Sequence, residues 1–560
     1  MPKIANPKTH LQQMTSDHRG ASVIVSTLAQ LGLRDAVISP GSRNAPLIIS
    51  LASHPHIKTH VVIDERSAAH VALGIALKNG TPAAVVCTSG TAAVNHGPAI
   101  AEAFHQRVPL ISITADRPVD VIGKGHGQTV FQTDLFSNHT LYCATIDESK
   151  HADNEIIKMA QEAWSKACCG GPSHLNVPFE EPLYGKALCP EIAISAPNPT
   201  SKPALTIPRI LRENGHRAIL IAGPRGLWKR GIKTNLPGVS ETFSGIKGDA
   251  LIASGDLLAS GQSLDLGNST QHRIAPSAII TVGQPLMSKS LRKQLSALHV
   301  PHVHVGDDGT GLDTFGSLVE SVNADPCEWL SFYEHEVKKS DAFFAFFAQE
   351  KSRIKAIHEH AIEAVKWSDL AAYQEVFKAI NKGFIHFANS TSARYAMLFE
   401  TINSAKGDIK LHANRGVAGI DGCTSTAVGH ALTTQENVIL VSGDVAFLYD
   451  INGLASVQEL PDNIKVIVVN NGGGGIFRWL EGPNEVGLLS SHFEAKPKTN
   501  IKDASHFCGL TYFCADDAES TKEKLSEFMT FTGPAVIEIV TDSKMSSDVY
   551  KSYIAAFHNE

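Results

Sequence analysis

The chain has 560 residues and a net charge of −7, with 43% hydrophobic and 19% charged residues, enough for about three domains of ordinary globular composition. The acidic balance and the lack of a long basic run argue against nucleic acid as the main partner, because phosphate binding needs concentrated Lys and Arg. No stretch approaches the ~20 apolar residues of a membrane span, so no membrane insertion is expected.

The nine cysteines are scattered and form no CxxC pair, which disfavours a zinc ribbon or a thioredoxin-like site. An odd number of thiols in a large chain fits a reducing compartment. Residues 1–18 are polar and lack an apolar signal core, so a cytoplasmic location is expected.

In chain order, Ala36–Ser39 reads as a strand ending at Pro40-Gly41, and His60–Ile63 as a second. Ser67–Lys78 reads as a helix, Ala83–Cys87 as a strand, Ala92–Phe104 as a helix and Leu110–Thr114 as a strand. Continuous apolar strands alternating with helices predict a parallel sheet covered on both faces. Prolines 190, 197, 199, 203 and 208 mark a linker around Cys189–Ala204. Arg217–Ala222 and Ala278–Val282 are strands of a middle α/β region, and a polar, helix-rich stretch runs from about Glu328 to Lys382. The last third carries strands Val438–Ser442, Lys465–Val469 and Ala535–Val540, with a helix-like stretch over Phe447–Glu459. The first and last thirds share this texture without a close sequence repeat.

The strongest chemical signal lies between Ser442 and Phe477. One strand ends in Gly443-Asp444, and the next ends in Asn470-Asn471 with Gly472 to Gly475 behind it. Ligands of an open parallel sheet bind at the C-terminal ends of its strands. A carboxylate, an amide oxygen and a carbonyl freed by a glycine turn are hard ligands suited to Mg2+. A glycine run also lets backbone approach an anion closely. A second signal is Asp64-Glu65-Arg66-Ser67-Ala68 at a helix start. An acid in a first helical turn ordinarily serves the helix dipole, and that bland reading stands beside a catalytic one.

The pair Gly443-Asp444 and Asn470-Asn471, with Asp444 and Asn471 27 residues apart, resembles the signature of thiamine-diphosphate enzymes, with Val445 in place of a common glycine. Five further motifs fall in order: Ser39-Pro-Gly-Ser-Arg43, Asp64-Glu65-Arg66-Ser-Ala68, Thr88-Ser-Gly-Thr-Ala92, Thr114-Ala-Asp-Arg-Pro118 and Asn414-Arg-Gly-Val-Ala-Gly-Ile-Asp-Gly422. Together they resemble the 2-succinyl-5-enolpyruvyl-6-hydroxy-3-cyclohexene-1-carboxylate synthase family of menaquinone biosynthesis, from about Gly20 to Val540. The likeness is strong in the first and last thirds and faint in the middle.

This resemblance implies three doubly wound parallel-sheet α/β domains: a pyrimidine-binding domain over 1–186, a central domain over 187–350, and a diphosphate- and Mg-binding domain over 351–560. It implies a C–C bond-forming transferase that decarboxylates 2-oxoglutarate and adds the succinic-semialdehyde fragment to isochorismate by 1,4-addition. Its cofactors are thiamine diphosphate and Mg2+, with Mn2+ as an alternative, and its assembly is a homodimer or homotetramer with active sites between subunits. Metal ligands are Asp444, Asn471 and the carbonyl of Gly473. Glu65 is the carboxylate beside pyrimidine N1′, favouring the imino tautomer that takes the thiazolium C2 proton. Both substrates are dicarboxylates, and the resemblance assigns their recognition to Arg43, Arg117, Gln128, Lys289, Ser390, Arg394 and Arg415. Cofactor contacts fall to Glu65, Ser390, Ile420, Gly443, Asp444, Val445, Ala446, Asn471, Gly473, Ile476 and Phe477, with Ile420 propping the cofactor and Ile476 and Phe477 forming a wall. For the last three, plain core packing is an equal reading.

The chain departs from the family pattern at Gly127, often Asn, and at Gly472, often an acid or amide. Gly123–Gly127 fails the dinucleotide pattern at Gln128. His302 and His304 share a strand face without a third ligand. His358-Glu359-His360 sits in a polar helix and is expected to be solvated. Two rivals remain: another 2-oxoacid thiamine enzyme of the acetolactate synthase or decarboxylase type, and a cofactor-binding regulator without turnover.

Overall fold

The structure is a computed structural model and describes residues 14–192, 194, 204–225, 231–260, 275–306, 311–363, 365–403 and 409–558. Most of the proline-rich linker lies outside them. The chain forms two compact units, one comprising Met1–Pro199 with Ser456–Glu459, the other Thr200–Ala455 with Leu460–Glu560.

Numbering the strands of the main sheets in chain order, the first unit holds β1 (Asp35–Ile38), β2 (Lys58–Val61), β3 (Ala83–Cys87), β4 (Leu110–Asp116), β5 (Tyr142–Thr145) and β6 (Pro172–Pro178). They pair in parallel in the order β2-β1-β3-β4-β6-β5. Every residue of β3, β4 and β6 is buried, as expected of strands covered on both faces.

The second unit carries two such sheets. The middle one holds β7 (Ala218–Ala222), β8 (Gly238–Ser240), β9 (Leu251–Ile252), β10 (Ala278–Val282), β11 (His302–Gly306) and β12 (Leu318–Asn323), in the order β9-β8-β7-β10-β11-β12. The last holds β13 (Gly383–Phe387), β14 (Ile409–Ala413), β15 (Val438–Gly443), β16 (Ile464–Asn470), β17 (Thr511–Ala515) and β18 (Ala535–Val540), in the order β14-β13-β15-β16-β18-β17. This order matches that of the first sheet strand for strand. The shared texture of the outer thirds therefore reflects a structural duplication that left no close sequence repeat.

Several sequence expectations are corrected. Ala92–Phe104 is not one helix but two, Thr91–Val94 and Gly97–Gln106, with Pro98 starting the second, where its missing N–H costs nothing. Phe447–Glu459 is not one helix either: Asp444–Tyr449 and Asn452–Ala455 are separate turns. Buried Asp450 breaks the run by accepting from the Ser425 N–H and hydroxyl at 2.7 and 2.8 Å. The following Ser456–Glu459 joins the first unit, where Val457 bridges Val62 antiparallel. A helix runs unbroken over Asp341–Glu363, so the boundary drawn at residue 350 falls inside an element. His358 is not solvated. It is fully buried, with Nδ1 at 2.5 Å from the Tyr553 hydroxyl. His302 Nε2 and His304 Nδ1 both turn to the Thr281 hydroxyl, at 2.7 and 2.8 Å.

Candidate active site

In the first unit the motif residues gather at the C-terminal edge of the sheet, around the point between β1 and β3 where the strand order reverses. The turn after β1 is locked from both sides. Ser39 donates to the Val62 carbonyl at 2.9 Å, and Asn44 donates to the Ser39 carbonyl at 2.9 Å. A Cβ on Gly41 would stand 2.5 Å from Thr88, so the glycine permits the close approach of the first and third motifs. Glu65 opens the helix Glu65–Asn79, whose N-cap Asp64 accepts from Arg66 N at 2.9 Å and Ser67 N at 3.2 Å. A cap of this kind contributes about 1 kcal/mol, and since Asp64 fills it, Glu65 is not needed for that role. Glu65 is half-buried, and its charge helps push the buried Cys87 thiol up, behind the larger effect of burial.

Arg43 is buried. It donates to the Phe179 carbonyl at 2.8 Å and pairs with Glu181 at 3.0 Å. Its pKa is lowered by burial and then by Arg117, so these two predicted arginines lie close enough to repel. Two guanidinium groups brought together in this way suit a dianionic ligand. A buried network fixes Arg117 from behind. Asp116 accepts from Arg117 N at 2.8 Å and from Asn176 Nδ2 at 2.9 Å. Gln132 donates to Asn176 at 2.9 Å and accepts from Gly90 N at 2.9 Å. Gln128 is exposed in the left-handed region at φ 58°, backed closely by Gly90, and Arg117 reaches the Gly127 carbonyl at 3.3 Å.

In the second unit, β13, β14, β15 and β16 deliver the remaining motifs to one edge. Ser390, Arg415, Asp444 and Asn471 all follow strand ends, and the order reverses between β13 and β15. Register pairs Gly443 with Val469, which sets Asp444 and Asn471 on adjacent strands. Asp444 is buried, and its carboxyl is pushed up to about 7 by burial and by Asp369, against the pull of the Val445 and Gly473 N–H groups. Asn471 donates through Nδ2 to Asp369 at 2.7 Å, while its Oδ1 is buried without a hydrogen-bond partner. A buried, orphaned amide oxygen beside a buried carboxylate is a donor set that a hard cation would satisfy. The residues present thus fit Mg2+.

Gly473 has φ +136°, and a Cβ there would stand 2.5 Å from the Glu494 carbonyl. Glu494 is itself clamped by Arg478, at 2.5 and 2.7 Å, so the glycine turn rests on a bidentate ion pair. A cavity of about 190 Å3 opens beside Asp444 and Gly472 and is lined by Lys496 and Lys498, cations that the motif reading missed. Ile420 packs against Ala388, Cys423 and Ala446, which brings it to the Asp444 helix. Val445, Ile476 and Phe477 are half-buried, Phe477 with its ring 5.6 Å from Phe493. Asn389, next to Ser390, holds the Asn414–Gly422 motif: its amide donates to the carbonyls of Asn414 and Gly419 at 2.7 and 2.6 Å and accepts from Arg415 at 2.7 Å. Arg394 faces Asp256 at 3.6 Å, and Lys289 is exposed at the start of the helix Lys289–Ala297.

The predicted residues therefore form two constellations. Arg43, Glu65, Arg117 and Gln128 belong to the first unit; Lys289, Ser390, Arg394, Arg415, Ile420, Asp444, Asn471, Gly473, Ile476 and Phe477 belong to the second. Asp369 and Glu494 are supports that motif reasoning did not find.

Comparison with known proteins agrees with this division. The N-terminal TPP-binding domain of thiamine pyrophosphate enzymes matches residues 18–138, and the C-terminal TPP-binding domain matches residues 395–539. The 2-succinyl-5-enolpyruvyl-6-hydroxy-3-cyclohexene-1-carboxylate synthase of Flavobacterium johnsoniae is 32% identical over 558 residues, covering 95% of this chain and 98% of that protein. The synthases of Cytophaga hutchinsonii and Desulfotalea psychrophila are each 32% identical, over 556 and 536 residues, covering 95% and 91% of this chain and 97% and 96% of theirs. The chain belongs to the 2-succinyl-5-enolpyruvyl-6-hydroxy-3-cyclohexene-1-carboxylate synthase family of thiamine-diphosphate enzymes.

Proposed function

We propose that this protein joins 2-oxoglutarate to isochorismate with loss of CO2, in menaquinone biosynthesis, and that the two constellations above do the work. Thiamine diphosphate, when bound, supplies the electron sink for decarboxylation and carbon–carbon bond formation. Glu65 holds a proton at pyrimidine N1′. Asp444, the Asn471 amide oxygen and the Gly473 carbonyl hold Mg2+ or Mn2+, with Ser390 and the backbone of Gly443 to Ala446 near the diphosphate. Ile420 props the cofactor, and Ile476 and Phe477 form an apolar wall that keeps water from the reacting centre. Arg43, Arg117, Gln128, Lys289, Arg394 and Arg415 take the substrate carboxylates and hydroxyls. Two copies of the chain assemble as a homodimer, or a doubled dimer, in which the pyrimidine half of one meets the diphosphate half of another. A cytoplasmic location fits the nine free thiols.

The observation that carries the substrate reading is the pair Arg43 and Arg117 at the C-terminal edge of the first sheet, each with its Nε buried and without a hydrogen-bond partner. Buried guanidinium donors left without partners suit a carboxylate ligand. The test is isochorismate consumption by the purified protein. Turnover should require 2-oxoglutarate, thiamine diphosphate and a divalent cation together. Turnover of pyruvate in place of 2-oxoglutarate would point to an acetolactate synthase or a decarboxylase. Cofactor binding without any CO2 release would point to a regulator.

A further inference from the structure

One buried side chain fastens the loop that bears both Arg415 and Ile420. β13 and β14 are neighbours with Phe387 opposite Ala413, so Asn389 and Asn414 lie just past adjacent strand ends. Asn389 is 2% exposed. Its Nδ2 donates to the Asn414 carbonyl at 2.7 Å and to the Gly419 carbonyl at 2.6 Å, and its Oδ1 accepts from Arg415 Nη1 at 2.7 Å. Two carbonyls at one end and a guanidinium at the other fix the orientation of the amide, and only a side chain with two donors and an acceptor satisfies all three.

The fastened segment, Asn414–Gly422, is neither helix nor strand. Its start is anchored: Asn414 donates to Thr426 Oγ1 at 2.9 Å, and its Oδ1 meets His412 Nε2 at 3.1 Å. Its middle turns at Ala418, which has φ 62°, and Asn389 grips the carbonyl of the very next residue, Gly419. Ser390, directly after Asn389, stands at φ 73°. A Cβ makes this left-handed region costly, so residues other than glycine rarely adopt it. Such strain persists only where the surrounding contacts over-determine it. The two strained residues lie at the two ends of one hydrogen bond, Asn389 to Gly419. Ile420 follows at once and packs against Ala388, Cys423 and Ala446.

We propose that Asn389 is a positioning residue, a clasp that holds the strained turns at Ser390 and Ala418 and thereby sets two groups together: Arg415 for a substrate carboxylate and Ile420 against the cofactor. This rests on the roles assigned to Arg415 and Ile420 above. A single amide then links the cofactor site to the substrate site, so that a shift in one is felt in the other.

Aspartate at 389 separates a clasp from a mere partner for Arg415. It has nearly the volume of asparagine and keeps an acceptor for the guanidinium, but it sets an oxygen where two carbonyls need a donor. It is harmless if only Arg415 matters and damaging if the clasp does.

The experiment measures thiamine diphosphate affinity by calorimetry with Mg2+ present, and the steady-state KM of both substrates at saturating cofactor. N389A should weaken cofactor binding about tenfold and raise about tenfold the KM of whichever substrate R415Q affects, with a smaller change in kcat. N389D should weaken cofactor binding to a similar degree. A418G should change little in the wild type, yet in N389A it should restore most of the lost affinity, because glycine takes a positive φ without strain and the turn no longer needs holding. A fold that is merely destabilised would not be repaired at that one position. Unchanged cofactor affinity in N389A or N389D, or no rescue by A418G, overturns the proposal. If R415Q leaves both KM values unchanged, the substrate role of Arg415 falls on its own, and the cofactor affinities still decide the clasp. A wild type that does not bind thiamine diphosphate sinks the reading on which this rests. Should N389A fail to fold, N389D decides in its place, with A418G added to it as the rescue.

Discussion

Asp369 accepts a hydrogen bond from Asn471 Nδ2 at 2.7 Å, and this turns the Asn471 amide oxygen the other way, into a buried position without a hydrogen-bond partner. Asp369 is held in turn by the hydroxyls of Thr541 at 2.6 Å and Ser546 at 3.0 Å. An asparagine amide has two nearly isosteric faces, and a carboxylate on one side decides which is offered to a cation. Asp369→Asn should therefore weaken divalent-metal affinity by roughly 10–100-fold, the usual effect of losing a group that orients a ligand. Mn2+ titration followed by electron paramagnetic resonance, with thiamine diphosphate present, measures this without turnover. Unchanged affinity would show that Asn471 needs no such support.

Gly473→Ala should damage the same corner by a different route. The residue sits at φ +136°, and the added Cβ would stand 2.5 Å from the Glu494 carbonyl, which also accepts from Gly474 N at 2.5 Å. Glu494 cannot retreat easily, because Arg478 and Ser543 grip its carboxylate. Strain of about 1–3 kcal/mol is expected, read as a lowered melting temperature and weaker cofactor binding in calorimetry. Gly482→Ala is the control, since its Cβ would meet nothing within 4 Å. Equal melting temperatures for the two variants would count against the strain argument.

What the sequence made legible was what chain-local patterns encode. Strands such as Ala83–Cys87 and Val438–Gly443 read as buried runs, and their ends carried Thr88, Asp444 and Asn471 in recognisable motifs. What stayed hidden depends on contacts far along the chain. Asp369 looks like an ordinary acid in a first helical turn after its N-cap Ser368, and its partner Asn471 lies 102 residues on. His358 sits among polar neighbours, yet Tyr553, 195 residues away, closes over it. The strand order of the outer sheets was equally out of reach, since register between sequence-distant strands leaves no local mark.

His18 offers a prediction about stability with a defined sign. Its Nδ1 stands 2.7 Å from Glu148 Oε1 and its Nε2 2.9 Å from the Pro182 carbonyl, so acceptors face both nitrogens and the imidazolium is favoured. The Glu148 hydrogen bond raises the His18 pKa, and burial opposes it less strongly. A raised folded-state pKa means that the contribution is fully present below the unfolded value of about 6.5 and is lost as pH climbs through the folded value. Glu148 is lowered, so its share persists until acid pH. The melting-temperature gap between wild type and His18→Gln should be wider at about pH 6 than at about pH 9. A gap independent of pH would mean that the ring contributes packing alone.

Glu65 gives the sharpest division between holding a cofactor and using it. Asp64 already caps the helix, so Glu65→Gln changes no backbone contact that the structure shows. The amide keeps the size of the carboxyl but cannot hold a proton at N1′ as a carboxylic acid does. Thiamine diphosphate should still bind, because the residues proposed to hold the diphosphate and the metal are others. Turnover in the two-substrate assay should fall by roughly 10^2–10^4-fold, the range for losing a positioned acid–base group. Circular dichroism of the bound cofactor would report the aminopyrimidine tautomer directly, and the imino form should be depleted in the variant. Near-normal turnover with an unchanged tautomer signal would return Glu65 to the helix dipole, the bland role that its position alone allows.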